Sequence, residues 1–305
     1  MPEAQKITVE VAGRRLGVSN LDKVLFPATE TTKGEVLSYY ATVAPTLLPH
    51  LARRPLTRVR WPHGTEGMSF FEKNLPSGVP AWLPRVTISS HGRNPEEIPE
   101  RDQVVYPLVL DLADLTYLVN LASLELHVHQ WQVDDGGVPL NPDRLVIDLD
   151  PGLGAGLRDC ARVALWVRPR LEEMGLTKTV PVTSGSKGMQ VYAALPGQHS
   201  ADDIRALVQE LAQQLTKAHP ETVVWKMTKS LRPGKVLLDW SQNTAAKTTI
   251  SPYSLRGRAA PFVAAPRSWD EVEQGATEKS DLSQLLLDEV LTRLDEQGDL
   301  AADLL

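Results

Sequence analysis

Three aspartates carry the strongest chemical signal in this sequence. Asp148 and Asp150 stand two residues apart in RLVIDLDPG. On an extended strand side chains alternate faces, so both carboxylates project to one side while Ile147 and Leu149 project to the other. Paired carboxylates on an otherwise apolar strand repel each other and are costly to desolvate, and a divalent cation relieves both penalties. Oxygen-only ligands at this spacing suit Mg²⁺ or Mn²⁺ rather than zinc. Asp239 ends a second apolar run, VLLDW. Two ions held about 4 Å apart by shared carboxylates can activate a 3′-hydroxyl and stabilise departing pyrophosphate. The ordinary structural alternative is that Asp148 opens a turn and Asp150 caps the Pro151-Gly152 corner. The chemical reading requires Asp239 to share a sheet face with the other two.

Thr183–Gly188, TSGSKG, is a second candidate. Its glycines let backbone N–H groups approach an anion, its serines donate hydrogen bonds, and Lys187 brings charge. The G-x-x-x-x-G-K-[ST] spacing of a P-loop is absent, and a plain hairpin turn with an exposed lysine is the alternative. His127 and His129 alternate on one strand face, as ligands, nucleotide contacts or satisfied core residues. Phe70 and Phe71 precede Glu72-Lys73, where aromatics beside bases can stack on a nucleobase, although core packing is the commoner fate of such a pair.

The elements that must position these residues mix strands and helices. Ile7–Val11, Leu56–Trp61, Glu125–Trp131, Arg144–Asp150, Thr179–Thr183, Gln190–Ala194 and Val236–Trp240 read as strands. Lys33–Leu51, entered through Thr31-Thr32, reads as an amphipathic helix, and Leu108–Leu126, Arg158–Met174 and Ala201–Ala218 also read as helical. Arg85–Tyr106 is a polar stretch with little periodicity, and a loop of that length inside a compact domain is usually functional or disordered. Ser268–Gln297 reads as mostly helical. Such a mixture predicts an α/β or α+β domain with a substantial sheet.

Composition narrows the function classes. The 305 residues are 42% hydrophobic and 23% charged, with one cysteine, Cys160, which excludes an internal disulfide and a cysteine-based zinc cluster. MPEAQKITVEVAGRRL has no apolar signal-peptide region, and no long apolar run follows, so a cytoplasmic location and no membrane partner are expected. The formal charge of −6 argues at first sight against a nucleic-acid partner. Its distribution argues otherwise: Arg267–Leu305 holds eleven acids and three bases, leaving the remaining 266 residues near +2. Bases cluster at Arg53, Arg54, Arg58 and Arg60, at Lys226, Lys229, Arg232 and Lys235, and at Lys247, Arg256 and Arg258.

Eight segments in order, NLDKVLFP, RPLTRVRWPHG, SFFEKNLP, ELHVHQW, VIDLDPG, TSGSKG, TKSLRPGKVLLDWSQN and AAKTTISPYSLRGR, resemble the polymerase domain of bacterial ligase D, within the archaeo-eukaryotic primase superfamily. The resemblance runs from about Val18 to Leu300. It implies one α+β primase-polymerase-like domain over residues 1–305, with central, largely antiparallel sheets flanked by helices and an acidic, mostly helical segment at about 268–305. It makes Asp148, Asp150 and Asp239 the metal-binding catalytic triad for two Mn²⁺ (or Mg²⁺) ions. His127, Ser184 and Lys187 would hold the incoming nucleotide, the first two near its sugar and the lysine on its phosphates. Arg60, Lys73 and Arg256 match basic nucleotide-contacting positions, with Gln242 nearby. Asn20, Lys23 and Lys33 match a pocket for the 5′-phosphate downstream of a DNA gap. Phe70 and Phe71 match aromatics under the template strand, Arg232 a loop that positions the primer end, and Arg85–Tyr106 a loop that brings two DNA ends together.

One position departs from the pattern. The family's loop commonly continues to histidine where this chain has Gln190, which donates a hydrogen bond but carries no proton charge. The expected function is addition of nucleotides, ribonucleotides preferred, to 3′ ends at gaps and double-strand breaks during non-homologous end joining, near the nucleoid. The implied partners are gapped or broken DNA bearing a 5′-phosphate, NTP or dNTP, an ATP-dependent DNA ligase (fused or separate) and Ku. No KxDG-like nucleotidyl lysine motif with a ligase domain is present. The rival readings are a two-metal nuclease or phosphodiesterase, and a non-catalytic module that bridges DNA ends.

Overall fold

The computed structural model describes residues 6–92, 99–279 and 281–305. An N-terminal hairpin, β1 (Lys6–Val11) and β2 (Arg14–Ser19), is followed by the short pair β3 (Val24–Phe26) and β4 (Thr31–Thr32). Thr32 then caps α1 (Lys33–Leu51) by accepting from the Glu35 N–H while the Glu35 side chain accepts from Thr32, which satisfies two otherwise orphaned donors. The apolar stripe Val36, Tyr39, Tyr40, Val43 and Leu47 of α1 is buried, as the three-to-four-residue spacing dictates.

Next come β5 (Leu56–Arg60), β6 (Phe70–Glu72), the hairpin strands β7 (Arg85–Ser89) and β8 (Gln103–Pro107), α2 (Leu112–Asn120) and β9 (Ser123–Val128). They lead into β10 (Arg144–Pro151), α3 (Leu157–Glu173), β11 (Thr179–Thr183), β12 (Met189–Ala194) and α4 (Ala201–Ala218). The chain ends through β13 (Val223–Val224), β14 (Val236–Asp239), β15 (Thr249–Ile250), β16 (Phe262–Val263), β17 (Ala265–Pro266), α5 (Trp269–Gly275), β18 (Leu285–Leu286) and α6 (Leu287–Gln297).

Two sheets organise the molecule. The larger has the order β13-β14-β10-β12-β11-β17 and is antiparallel except for the β13–β14 pair. The smaller, β15-β9-β5-β6, is antiparallel throughout. The fold is α+β.

Alternation decides what each face of the larger sheet meets. Leu145, Ile147 and Leu149 of β10, with Met189, Val191 and Ala193 of β12, pack in one core with α3 and α4 residues such as Val163, Val167, Val208 and Leu211. Val146 and Tyr192, one residue out of step, belong to the other core, together with Leu124, Leu126 and Val128 of β9 and Ile250 of β15. The polar residues Asp148, Asp150, Gln190 and Asp239 therefore lie on the face turned toward the smaller sheet.

Two expectations need correction. The apolar run Leu108–Leu126 is helical only over Leu112–Asn120. Ala122 takes a left-handed conformation (φ 61°), which ends the helix region and starts β9 within what looks like one continuous apolar segment. Arg85–Tyr106 is not an aperiodic loop: its ends pair as a hairpin from Arg85↔Pro107 to Ser89↔Gln103. Val86, Ile88 and Tyr106 form a small core with Trp131 and Val133. Residues 93–98 of that stretch lie outside the described residues. Ser268–Gln297 contains two helices, α5 and α6, with β18 between them pairing to β16.

Candidate active site

The antiparallel register of β10 and β14 sets Asp148 directly opposite Asp239 and Asp150 opposite Leu237. Directly opposed residues share a face, so the two aspartates most distant in sequence become nearest neighbours across the sheet. Burial pushes the Asp148 carboxyl up, Asp239 and Asp150 add to the rise, and the Gln190 hydrogen bond and Arg256 oppose it; the result is about 7. Gln190 Nε2 donates to Asp148 Oδ1 at 3.2 Å, and the Tyr192 hydroxyl lies 3.1 Å from Gln190 Oε1 and 3.0 Å from the Ile250 carbonyl.

The other two carboxylates are engaged locally. Asp239 Oδ1 accepts from the Ser241 N–H and hydroxyl, and its Oδ2 accepts from Gln242 Nε2 at 3.1 Å. Asp150 Oδ2 lies 3.5 Å from Arg232 Nη1. Among the described residues no three His, Cys, Asp or Glu side chains are gathered closely enough to hold an ion as they stand. The donor set is nevertheless three carboxylates on one face, hard oxygen donors of the kind Mg²⁺ and Mn²⁺ take, with an unfavourable charge pair already built in.

A cavity of about 460 Å³ opens over this face, lined among others by Asp148, Asp150, His127, Ser184, Lys187, Gln242, Arg256 and Arg258. The TSGSKG loop, between β11 and β12, forms one wall. Gly188 is required by close approach: a Cβ there would fall 2.0 Å from the Leu149 carbonyl oxygen of the aspartate strand. Gly185 combines φ +69° with a Cβ position 2.5 Å from Arg256 Cγ, so the loop lies directly against the arginine stem. Gln284, from the acidic C-terminal segment, holds both ends of the loop: its Oε1 accepts from the Gly185 N–H at 2.7 Å and its Nε2 donates to the Gly188 carbonyl at 2.9 Å. No motif in the sequence points to Gln284, and its part becomes visible only once the chain returns to the loop.

The opposite wall comes from β9 and the segment after β15. His127 and Glu125 are two residues apart on β9 and therefore share a face. Glu125 Oε2 is 2.7 Å from His127 Nε2 and 3.1 Å from Arg256 Nη1, and Oε1 accepts from the Gly257 N–H at 3.0 Å. Burial alone would raise the Glu125 carboxyl, but His127, Arg256 and the Gly257 N–H together bring it down to about 2. His129, by contrast, is a core residue, buried beside Tyr106 and Trp131 and bonded through Nδ1 to the Pro55 carbonyl.

Arg60 and Lys73 do not line this cavity. Arg60 is held by the Glu72 carboxylate and the Leu121 carbonyl, and Lys73 Nζ donates to the Ala246 carbonyl. Arg58, fully buried, shares Glu72. Phe70 and Phe71 lie on the edge strand β6 and are 41% and 60% exposed, with the Phe71 ring edge-on to His127 at 6.4 Å. Apolar rings left this open are not serving as core.

Asn20, Lys23 and Lys33 gather elsewhere, at the start of α1. Lys33 Nζ donates to the Ser19 carbonyl and to Asn120 Oδ1, and Lys23 Nζ donates to the Pro62 carbonyl. Asn20 adopts φ 55°, and its carbonyl accepts from the Lys23 N–H. Burial, with a contribution from Lys23, lowers Lys33 to about 8. Asn120, at the end of α2, also accepts from the Ser19 N–H and was not legible as a partner of Lys33. Arg232 donates to the Met227 carbonyl, and Gly152 packs so tightly beneath it that a Cβ would sit 2.0 Å from the Arg232 carbonyl oxygen.

Comparison with known proteins identifies the family and the fold. The family model described as "LigD, primase-polymerase domain" matches residues 32–301. The multifunctional non-homologous end joining protein LigD of Mycolicibacterium smegmatis is 47% identical over 290 residues, 95% of this chain and 36% of that protein. The bifunctional non-homologous end joining protein LigD of Bacillus subtilis is 32% identical, over 93% of this chain and 43% of its own length. The chain thus spans little more than a third of the mycobacterial relative. The solved polymerase domain of Mycobacterium tuberculosis ligase D, in complex with DNA, superposes with a TM-score of 0.86 at 45% identity, covering 95% of this chain and 98% of that one. On the family match over residues 32–301, this chain belongs to the LigD primase-polymerase domain family.

Proposed function

We propose that the chain is a DNA-end-repair polymerase that adds nucleotides, ribonucleotides in preference, to 3′ ends at gaps and double-strand breaks during non-homologous end joining. The observation that carries this reading is the Asp148–Asp239 cross-strand pair beneath a cavity whose walls supply His127, Ser184, Lys187 and Arg256. Asp148, Asp150 and Asp239 are the residues that would hold divalent ions, Mn²⁺ or Mg²⁺. Such ions, when bound, lower the charge barrier to attack of a 3′-hydroxyl on an α-phosphate.

The protein's own side chains do the rest. Lys187 faces the triphosphate, His127 and Ser184 meet the sugar, and Arg256 and Gln242 complete the wall. A polar contact to the 2′-hydroxyl gives a reason to accept ribonucleotides, worth on the order of 1 kcal/mol. Lys23 and Lys33, with Asn20, take the 5′-phosphate across the gap, while Phe70 and Phe71 offer exposed rings to the template. Arg232 leaves Asp150 to steer the primer end, and Arg60 and Lys73 reach the nucleotide only after releasing Glu72 and Ala246. End joining also requires sealing, so an ATP-dependent ligase, fused or separate, and Ku are the expected partners. No described helix is long and apolar enough to cross a membrane.

A labelled primer on gapped DNA tests the reading, with NTP or dNTP, with or without the 5′-phosphate, in Mn²⁺ or Mg²⁺. Lengthening that is faster with NTP, 5′-phosphate and Mn²⁺ supports it. Shortening of the primer identifies a nuclease, and DNA binding without either change identifies a bridging module.

A further inference from the structure

We propose that Glu125 is a positioning residue that locks His127 and Arg256 into one unit and thereby sets preference for the nucleotide sugar. This rests on the polymerase reading of the same cavity. Glu125 is 7% exposed and does not line the cavity, whereas both of its side-chain partners do. Its carboxylate joins three points: the imidazole on β9, the guanidinium after β15, and the Gly257 N–H. The last point cannot drift, because Gly257 lies against the Trp61 ring, where a Cβ would come within 2.2–2.5 Å of ring carbons.

The chemistry follows from which nitrogen carries the proton. A carboxylate acceptor at Nε2 keeps a proton there, so that Nδ1 is the nitrogen of the ring left to act as an acceptor. An acceptor at that position receives a hydrogen bond from a sugar hydroxyl, and a 2′-hydroxyl supplies such a donor where a deoxy sugar does not. Arg256, bound to the same carboxylate oxygen, loses freedom to swing, so cation and acceptor keep a fixed spacing. Replacing Glu125 with glutamine keeps the shape but offers an N–H to one partner. The oxygen nearest His127 also accepts from Arg256 and the other accepts from Gly257, so the amide NH2 meets a donor in either placement and breaks the unit. At the shared point it also makes Nε2 the acceptor and moves the proton to Nδ1.

The test compares wild type and Glu125→Gln for KM and kcat with each of ATP, GTP, CTP and UTP and the matching dNTPs on gapped DNA, together with melting temperature. We expect KM for NTP to rise about tenfold, kcat to change less than threefold, and the NTP-over-dNTP ratio to fall about tenfold. His127→Ala should show the same loss of preference, and the double substitution should lose no more than either alone. ¹⁵N NMR of His127 in the wild-type chain, which needs no variant to fold, should show the Nε2–H tautomer. An Nδ1–H tautomer, an unchanged sugar preference in E125Q, or a fall in kcat and melting temperature with KM unaltered overturns the inference. A wild-type chain that neither binds nor adds NTP overturns the polymerase reading and this inference with it. A wild-type chain that prefers NTP while E125Q does so equally overturns only the role of Glu125.

Discussion

Asp148 and Asp239 oppose each other directly across β10 and β14, and the carboxyl of Asp148 is lifted to about 7 by burial and by that neighbour. A folded-state value above the unfolded one means that the unfolded chain loses its proton first as pH rises. The resulting penalty is absent below about pH 4 and complete above about pH 7. Asp148→Asn removes the charge and keeps the shape. In chelator at pH 8 it should raise the melting temperature by roughly 2 °C, with less gain at pH 4, while nucleotide addition falls at least about a hundredfold. Full activity in this variant, or a lower melting temperature at pH 8, would remove the carboxylate pair as the reaction centre.

Lys33 yields a second expectation. Its ammonium is lowered to about 8 by burial and by Lys23, so the free protein loses this charge as pH rises through 8. Affinity for gapped DNA with a 5′-phosphate, relative to a 5′-hydroxyl, should decline severalfold between pH 7 and pH 9, and Lys33→Ala should flatten the profile. Fluorescence anisotropy on the two DNAs reads this directly; a ratio that ignores pH, or a K33A profile like wild type, rejects the assignment.

Gln284 bridges Gly185 and Gly188. Gln284→Ala frees the Gly185 N–H and leaves the Gly188 carbonyl with the Ser184 N–H alone, so on the proposed function KM for NTP should rise about threefold to tenfold, with the fold intact by circular dichroism. Saturation kinetics with unchanged KM would mean that the loop keeps its shape unaided.

Tyr192 stands behind Gln190. Its one hydroxyl proton is shared between Gln190 Oε1 at 3.1 Å and the Ile250 carbonyl at 3.0 Å, and the share donated to Gln190 favours the amide orientation that turns Nε2 toward Asp148. Tyr192→Phe should cost on the order of 1–2 kcal/mol of stability, because the two buried acceptors lose the one donor they share, and should lower kcat more than it raises KM. A variant that loses stability alone would show that Tyr192 only supports the core.

Much of this was written in the residue pattern. The alternation of Ile147, Asp148, Leu149 and Asp150 encodes which side of β10 is dry and which is polar, and the capping pair Thr32 and Glu35 marks the start of α1. Exposed Phe70 and Phe71 could not be told from core residues without knowing that β6 is an edge strand. The hairpin inside Arg85–Tyr106 was hidden because its strands, Arg85–Ser89 and Gln103–Pro107, are too short for alternation to stand out. Glu125, Asn120 and Gln284 escaped for another reason. Each acts through partners far away in sequence, such as Arg256 for Glu125 and Lys33 for Asn120, and no local spacing records that meeting. Arg60 and Lys73 show the converse: a basic residue in a telling segment can be engaged by a nearby carboxylate or carbonyl instead of the cavity.

The aspartates ride on the larger sheet, whereas His127 and the segment leading to Arg256 ride on the smaller one. What separates them is a seam of Val146, Tyr192, Leu126 and Ile250 side chains. Close-packed interiors transmit small displacements instead of absorbing them. On the proposed function, the gap across which a phosphate must reach a hydroxyl is thereby gauged by the thickness of an oily layer, and a single methylene added to that layer should retime the reaction without touching any group proposed to take part in it.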